Sequence, residues 1–216
     1  MRARTGFVVF LLSLTLFFTG CATKKQEWFL EQSTENVDYY TRDSHIKSLP
    51  EFKATITIDA PINQVSNYLE DFTHHPKWLY GCASSEIINQ SNKNVFYIYQ
   101  VSRLPLVTNR DLILRAKILR KQRGNIVEIN IQSEPNYCKS NVTEPCKVIN
   151  QSNYVRIHDA YGQFKLTKID ESTTRLEWRQ FLDPAGSLPL AIYRFALPKV
   201  PFRSLPKLKQ QIERLR

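Results

Sequence analysis

Residues 53–72 read KATITIDAPINQVSNYLEDF, and their hydrophobic pattern changes period part-way through. Over Lys53–Asp59, Ala54, Ile56 and Ile58 alternate with Thr55, Thr57 and Asp59, the two-residue repeat of a strand with one buried face. Pro61 then opens a helix at a position where its missing N–H costs nothing. Ile62, Val65, Leu69 and Phe72 recur at spacings of three and four residues, which puts an apolar stripe on that helix. The helix is expected to stop near His74-His75-Pro76, with Trp78 and Tyr80 immediately after.

Downstream, strands are expected over Val95–Ser102, Arg110–Leu119, Ile126–Gln132, Tyr154–Ile169 and Thr174–Leu182. Turn signals such as Ser91-Asn-Lys-Asn94, Arg123-Gly-Asn125 and Asp170–Thr173 separate them. Connections this short make neighbours antiparallel, because a parallel pairing needs a crossover of about a dozen residues. A meander follows. After Asp183-Pro-Ala-Gly-Ser187 the period becomes helical: Leu188, Ala191, Ile192, Phe195 and Ala196 share a face, Pro198 and Pro201 interrupt, and Leu205, Leu208, Ile212 and Leu215 resume the stripe. The expected class is α+β, a curved antiparallel sheet wrapped around a long C-terminal helix, which encloses volume.

Upstream the chain divides into three parts. Residues 1–20 are expected to form a signal peptide, 21–48 a lipidated tether and an amphipathic helix carrying Trp28, Phe29, Leu30, Val37, Tyr39 and Tyr40, and 49–216 the folded domain. With 42% hydrophobic residues, 12% aromatic and only 6 Gly, the chain is neither disordered nor collagen-like. At 216 residues it can bury a core without metals as staples.

The N-terminus reads MRARTGFVVFLLSLTLFFTGC: a basic start, an apolar run over 7–18, then Thr19-Gly20-Cys21. That is the layout of a secretory signal peptide, and the run is too short for a spanning helix. Phe18-Thr-Gly-Cys21 resembles the bacterial lipobox, with Phe18 where Leu is usual. The resemblance implies lipidation of Cys21. With Ala22 next rather than Asp, it also implies retention at the outer membrane, facing the periplasm.

Losing Arg2 and Arg4 but no acid lowers the net charge from +10 to +8. Nucleic acid is not expected as a partner outside the cytoplasm, so the surplus points to anionic lipid. Of it, +5 falls from Pro198 onward, on a helix where Lys199, Arg203, Lys207 and Lys209 are the candidate membrane-surface residues. In an oxidising compartment, Cys138 and Cys146 are expected to form a disulfide across a short loop, leaving Cys82 as a buried free thiol. No Cys-x-x-Cys or His spacing suggests a metal, and no cofactor is expected.

The element order and several strings resemble the StAR-related lipid-transfer (START) family, a branch of the helix-grip fold. The strings are Trp78-x-Tyr80-x-Cys82, Arg103-Leu-Pro105 leading to Asn109-Arg110-Asp111, Val155-Arg156, and Asp183-Pro-Ala-Gly186-Ser-Leu-Pro189. The resemblance spans roughly Phe52 to Leu215. It implies a tunnel holding one lipid, with the last helix as lid and no catalytic motif. Many members carry a buried acid–base pair as polar anchor; the matching positions, near Gln100 and Ala116, cannot form one, so a more uniformly apolar cavity is expected.

The candidate ligand-binding residues are Tyr97, Tyr99, Arg110, Leu112, Leu114, Trp178, Ile192 and Phe195. Leu112 and Leu114 share the apolar parity of their strand with Arg110, which either pairs with Asp111 or another acid or meets a headgroup through its donor fork. Tyr97, Tyr99 and Trp178 either line the cavity or close the core, and Ile192 and Phe195 are the expected lid contacts. No Ser-His-Asp, phosphate-loop or paired-carboxylate pattern stands out, and His74, His75 and His158 are not expected to be catalytic. The expected activity is binding, and transfer at a membrane, of a hydrophobic ligand by a monomer. The alternatives are a helix-grip enzyme of cyclase or hydrolase type, and a non-transporting interaction protein.

Overall fold

A computed structural model describes residues 27–103, 107–150 and 152–215, so the expected signal peptide and the expected lipidation site, Cys21, lie outside the described residues. In chain order the elements are β1 (Phe29–Ser33), β2 (Asp38–Arg42), β3 (Glu51–Ile58), α1 (Ile62–Glu70), α2 (His75–Trp78), β4 (Cys82–Asn92), β5 (Val95–Ser102) and β6 (Arg110–Lys121). Then follow β7 (Ile126–Ser133), α3 (Tyr137–Ser140), α4 (Glu144–Asn150), β8 (Val155–Arg156), β9 (Ala160–Lys168), β10 (Thr174–Leu182), α5 (Leu190–Ala196) and α6 (Lys199–Glu213).

The strands form one sheet in the order β1-β2-β3-β10-β9-β7-β6-β5-β4. Neighbours on that path are antiparallel, while the two-residue β8 runs parallel to β6 and departs from the expected meander. The expected single strand over Tyr154–Ile169 is split because Ile157 N–H turns aside to Asp111 O and Asp159 O accepts from Asp183 N–H.

Residues 29–42 correct the expectation of an N-terminal helix: they form two strands that extend the sheet through β2 and β3. Alternation explains it. Val37 and Tyr39 are buried while Asp38 and Tyr40 point away, and Tyr39 packs on Phe52 and Phe202 at ring separations of 6.1 and 5.7 Å. The division expected at residue 48 is therefore no structural boundary.

Helix α1 buries Val65 and Leu69 as its spacing requires, but it ends at Glu70, before the proline. Asp71 accepts from Thr73 N–H in the following turn, and Pro76 sits in the first turn of α2, where prolines are tolerated. The same logic corrects the expected break at Pro201. It lies in the first turn of α6, whose early amides have no intrahelical acceptor, so the chain breaks instead at Leu197-Pro198. Leu205, Leu208 and Ile212 of α6 are fully buried against the sheet and α1, whereas Leu215, expected on that stripe, lies beyond the helix end and is exposed.

The first five residues of strand β6, Arg110 to Leu114, are buried on both faces. Leu112, Leu114 and Ala116 face the main core, and Ile113 meets a second cluster in which the disulfide-bonded Cys138 and Cys146 of α3 and α4 cover the outer face of the sheet. Replacing both cysteines by serine frees a loop shorter than the 15 residues for which closure contributes about 3 kcal/mol, so a loss of about 2–3 kcal/mol is expected in urea unfolding.

At Gly162 of β9 a Cβ would sit 2.7 Å from the Arg179 carbonyl of the neighbouring strand. Gly162→Ala is expected to cost about 1–3 kcal/mol, read as a lowered thermal midpoint, because backbone on both strands must shift.

Candidate ligand-binding site

Between the inner face of the sheet and the α5–α6 segment lies a cavity of about 180 Å³. Its floor is apolar: Leu112 and Leu114 of β6, Phe164 of β9 and Trp178 of β10 point into it by strand parity, and Tyr193, Leu197 and Val200 roof it. Phe164 and Trp178 lie 5.3 Å apart and Trp178 meets Phe52 edge-on at 5.1 Å, so this floor is held by ring packing. The volume falls below the ~300–1,000 Å³ usual for sites of drug-sized ligands. A two-chain lipid therefore requires the roof to move.

Of the expected ligand-binding residues, Arg110, Leu112, Leu114 and Trp178 line this cavity. Tyr97 and Tyr99 do not. They occupy the other parity of β5 and face outward, where Tyr97 stacks on Tyr137 at 4.2 Å and the Tyr99 hydroxyl donates to Asp111 at 2.9 Å. Ile192 and Phe195 are 42% and 69% exposed, so they are not the lid's inner contacts; Tyr193, Ala196 and Leu197 are. Successive helix residues are about 100° apart, so Leu188 and Ala196 of the expected stripe reach the cavity while Ile192 and Phe195 turn away from it.

Of the two readings left open for Arg110, an acid partner or a headgroup contact, the first is not what the structure shows among the described residues. Adjacent strand residues point to opposite faces, and Asp111 goes outward, accepting from Arg156 Nε at 2.6 Å and Nη2 at 2.9 Å, from Ser152 at 2.8 Å and from Tyr99. Burial alone would raise the Asp111 carboxyl, but these donors outweigh it and hold it below its ordinary value. Arg110 goes inward. Its Nε donates to Pro184 O at 2.9 Å and its Nη1 to Thr108 O at 2.5 Å.

Gln100 brings polarity to a wall expected to be uniformly apolar. Its Nε2 lies 2.6 Å from His75 Nδ1 and donates to Ser85 Oγ at 3.1 Å. With the amide donating to Nδ1, the ring proton sits on Nε2, a buried atom without a partner among the described residues. Burial pushes the His75 pKa down to about 4, outweighing the Leu69 backbone and the Asp71 charge, both of which favour the protonated ring, so the ring is neutral. The sequence offered no signal for this contact, because residues 25 positions apart meet only through the sheet. Cys82, expected to be a buried thiol, also borders the cavity; burial raises its thiol to about 12, which removes it as a nucleophile.

The basic residues of α6 separate into two groups. Lys199 lies over the Phe195 ring at 3.2 Å and Arg203 over Tyr80 at 4.7 Å, both beside the cavity, and Lys207 is exposed. Lys209 does not belong with them. It bridges Asp59 at 2.9 Å and Glu213 at 3.2 Å and donates to Thr57 O, so its charge ties α6 to β3.

A START domain family model matches residues 9–203. The chain belongs to the START domain family. Its START fold superposes on the STAR-related lipid transfer protein of Xanthomonas axonopodis with a TM-score of 0.72 and 22% identity, covering 86% of this chain and 98% of that one. Human StAR-related lipid transfer protein 5 gives 0.72 and 15% identity over 87% of each chain. The Zhui aromatase/cyclase from Streptomyces sp. R1128 gives 0.53 and 16% identity over 76% and 93%. The START fold, with its curved antiparallel sheet and C-terminal helix, thus also occurs in an enzyme.

Proposed function

We propose that the chain binds a lipid or a similar apolar molecule in the cavity and passes it to or from a membrane at the periplasmic face, tethered through lipidated Cys21. The observation that carries this reading is an apolar cavity roofed by a helix that is apolar on both sides. Tyr193 and Leu197 line the ligand side, while Ile192 and Phe195 present their side chains to the medium. Enclosure supplies the affinity, at about 25 cal/mol per Å² of apolar surface withdrawn from water. Arg194, Lys199, Arg203 and Lys207 border the exposed apolar residues of α5 or follow them on α6, and near an anionic bilayer each contributes on the order of 1 kcal/mol.

Catalysis by a cyclase-type mechanism is the weaker reading. Among the described residues no carboxylate lines the cavity, and its one imidazole is hydrogen-bonded to an amide and lacks an acid partner. The open volume likewise favours ligand binding over an interaction protein whose cavity is filled by its own side chains.

The test is to express the chain from residue 22 onward in soluble form, extract it and identify copurifying molecules by mass spectrometry. Lipid in the extract, or uptake from vesicles by the emptied protein, is the expected result; neither would end the transfer reading. Flotation with anionic vesicles tests the docking surface. Neutralising Lys199, Arg203 and Lys207 is expected to weaken flotation while leaving ligand occupancy intact.

A further inference from the structure

Among the described residues lining the cavity, Arg110 is the one that carries a charge at neutral pH. It is only 6% exposed, and no carboxylate lies within salt-bridge distance among the described residues. Its two hydrogen bonds go to main-chain carbonyls, which occupy Nε–H and one Nη1–H of a five-donor fork. The Nη2 group donates to nothing among the described residues. A guanidinium stays protonated even where burial lowers its pKa, so this wall carries a full positive charge with donors to spare. Buried charges of this kind are strongly unfavourable unless compensated.

The surroundings give that charge a direction. Arg110 stands opposite Ser102 on the neighbouring strand, and Gln100 stands opposite Leu112, two residues further along the same inner face. Gln100, Ser102 and Arg110 thus form a polar strip at one end of the strand pair, while Leu112, Leu114, Phe164 and Trp178 form an apolar stretch; the other polar side chains of the lining, such as Gln180 and His75, are uncharged. The cavity is itself amphipathic, with a cation at the polar end.

Resting on the reading of the cavity as a lipid site, we propose that its ligand is an amphiphile with one anionic oxygen head group, a carboxylate or a phosphodiester, seated on the unused donors of Arg110. The chain lies along Leu112, Leu114 and Trp178. The planar fork presents two parallel N–H groups to two oxygens of such a head, a match that an alcohol or an ester does not offer. A neutral His75 adds no competing charge.

The experiment uses the soluble chain and cis-parinaric acid, whose fluorescence rises in an apolar site, displaced by palmitate, by methyl palmitate or by phosphatidylglycerol. Palmitate or phosphatidylglycerol is expected to displace the probe at least tenfold more effectively than methyl palmitate, and which of the two does so identifies the head as carboxylate or phosphodiester. In Arg110→Gln the preference for the acid over its methyl ester is expected to disappear. Arg110→Lys is expected to keep part of it. Methyl palmitate competing as well as palmitate, or Arg110→Gln weakening acid and ester equally, overturns the proposal while leaving lipid binding in place. Should the wild-type chain bind neither charged nor neutral lipid, the function itself falls. The comparison of acid with ester inside one variant keeps the test valid if that variant is less stable.

Discussion

Asp111→Ala is expected to lower the free energy of unfolding by about 3–5 kcal/mol, the cost typical of breaking a buried ion pair by deleting one partner. Asp111 is fully buried and accepts from Tyr99, Ser152 and both Nε and Nη2 of Arg156. These contacts pin β8 and the end of the disulfide-bonded α3–α4 segment to β6, the strand whose other face forms the cavity floor. Alanine leaves the Arg156 guanidinium, only a fifth exposed, without its counter-charge. Asp111→Asn keeps part of the acceptor set and is expected to lose less. Urea unfolding at pH 7 reads both, and a loss under about 1 kcal/mol for the alanine variant would show that Arg156 finds water instead.

The second large effect is a pH dependence. His75 is neutral in the native state because burial lowers its pKa to about 4, whereas in the unfolded chain it titrates near 6.5. The unfolded state therefore takes up a proton first as pH falls. Stability is fully present above about pH 6.5 and drains away down to about pH 4. The 2.5-unit gap corresponds to about 3 kcal/mol in total, of which about 2 kcal/mol is lost between pH 7 and pH 5. Asp111 acts in a different window: its depressed pKa makes its contribution fall only below the ordinary carboxylate value, under about pH 4. Unfolding free energies measured in steps from pH 7 to pH 5 thus isolate the histidine, and His75→Gln is expected to flatten the curve. An equal slope in both proteins would remove His75 as its cause.

Periodicity was most informative where one element meets one environment. Strands β5 and β10 fall on the residues that alternation marks, and the α1 stripe of Val65 and Leu69 is buried as spaced. It failed where two surfaces compete for one segment. Residues 29–42 read as a helix because aromatic residues on both parities blurred the alternation, and only the free edge of β3 makes them strands. Tyr97 and Tyr99 looked like cavity residues because nothing local reveals that α3 and α4 cover the outer face of the sheet. The site divides in the same way. Leu112, Leu114 and Trp178 were legible from parity, and so was the inward direction of Arg110. Its lack of an acid partner, and the contact between His75 and Gln100, depend on residues brought together from distant positions.

The pairing of β3 with β10 also governs when the protein becomes competent. Thr174 stands opposite Ile58, more than a hundred positions away in the chain, so a strand made early waits for one made late. Such high contact order slows folding, because the entropy of closing the loop is lost before the pairing is gained. Trp178 belongs to that last strand, and the roof comes from α5 and α6 after it. A chain halted before Thr174 thus lacks wall and roof together and has nowhere to hold a ligand. Loading must follow completion of the polypeptide, and cannot serve as the template on which the rest of it folds.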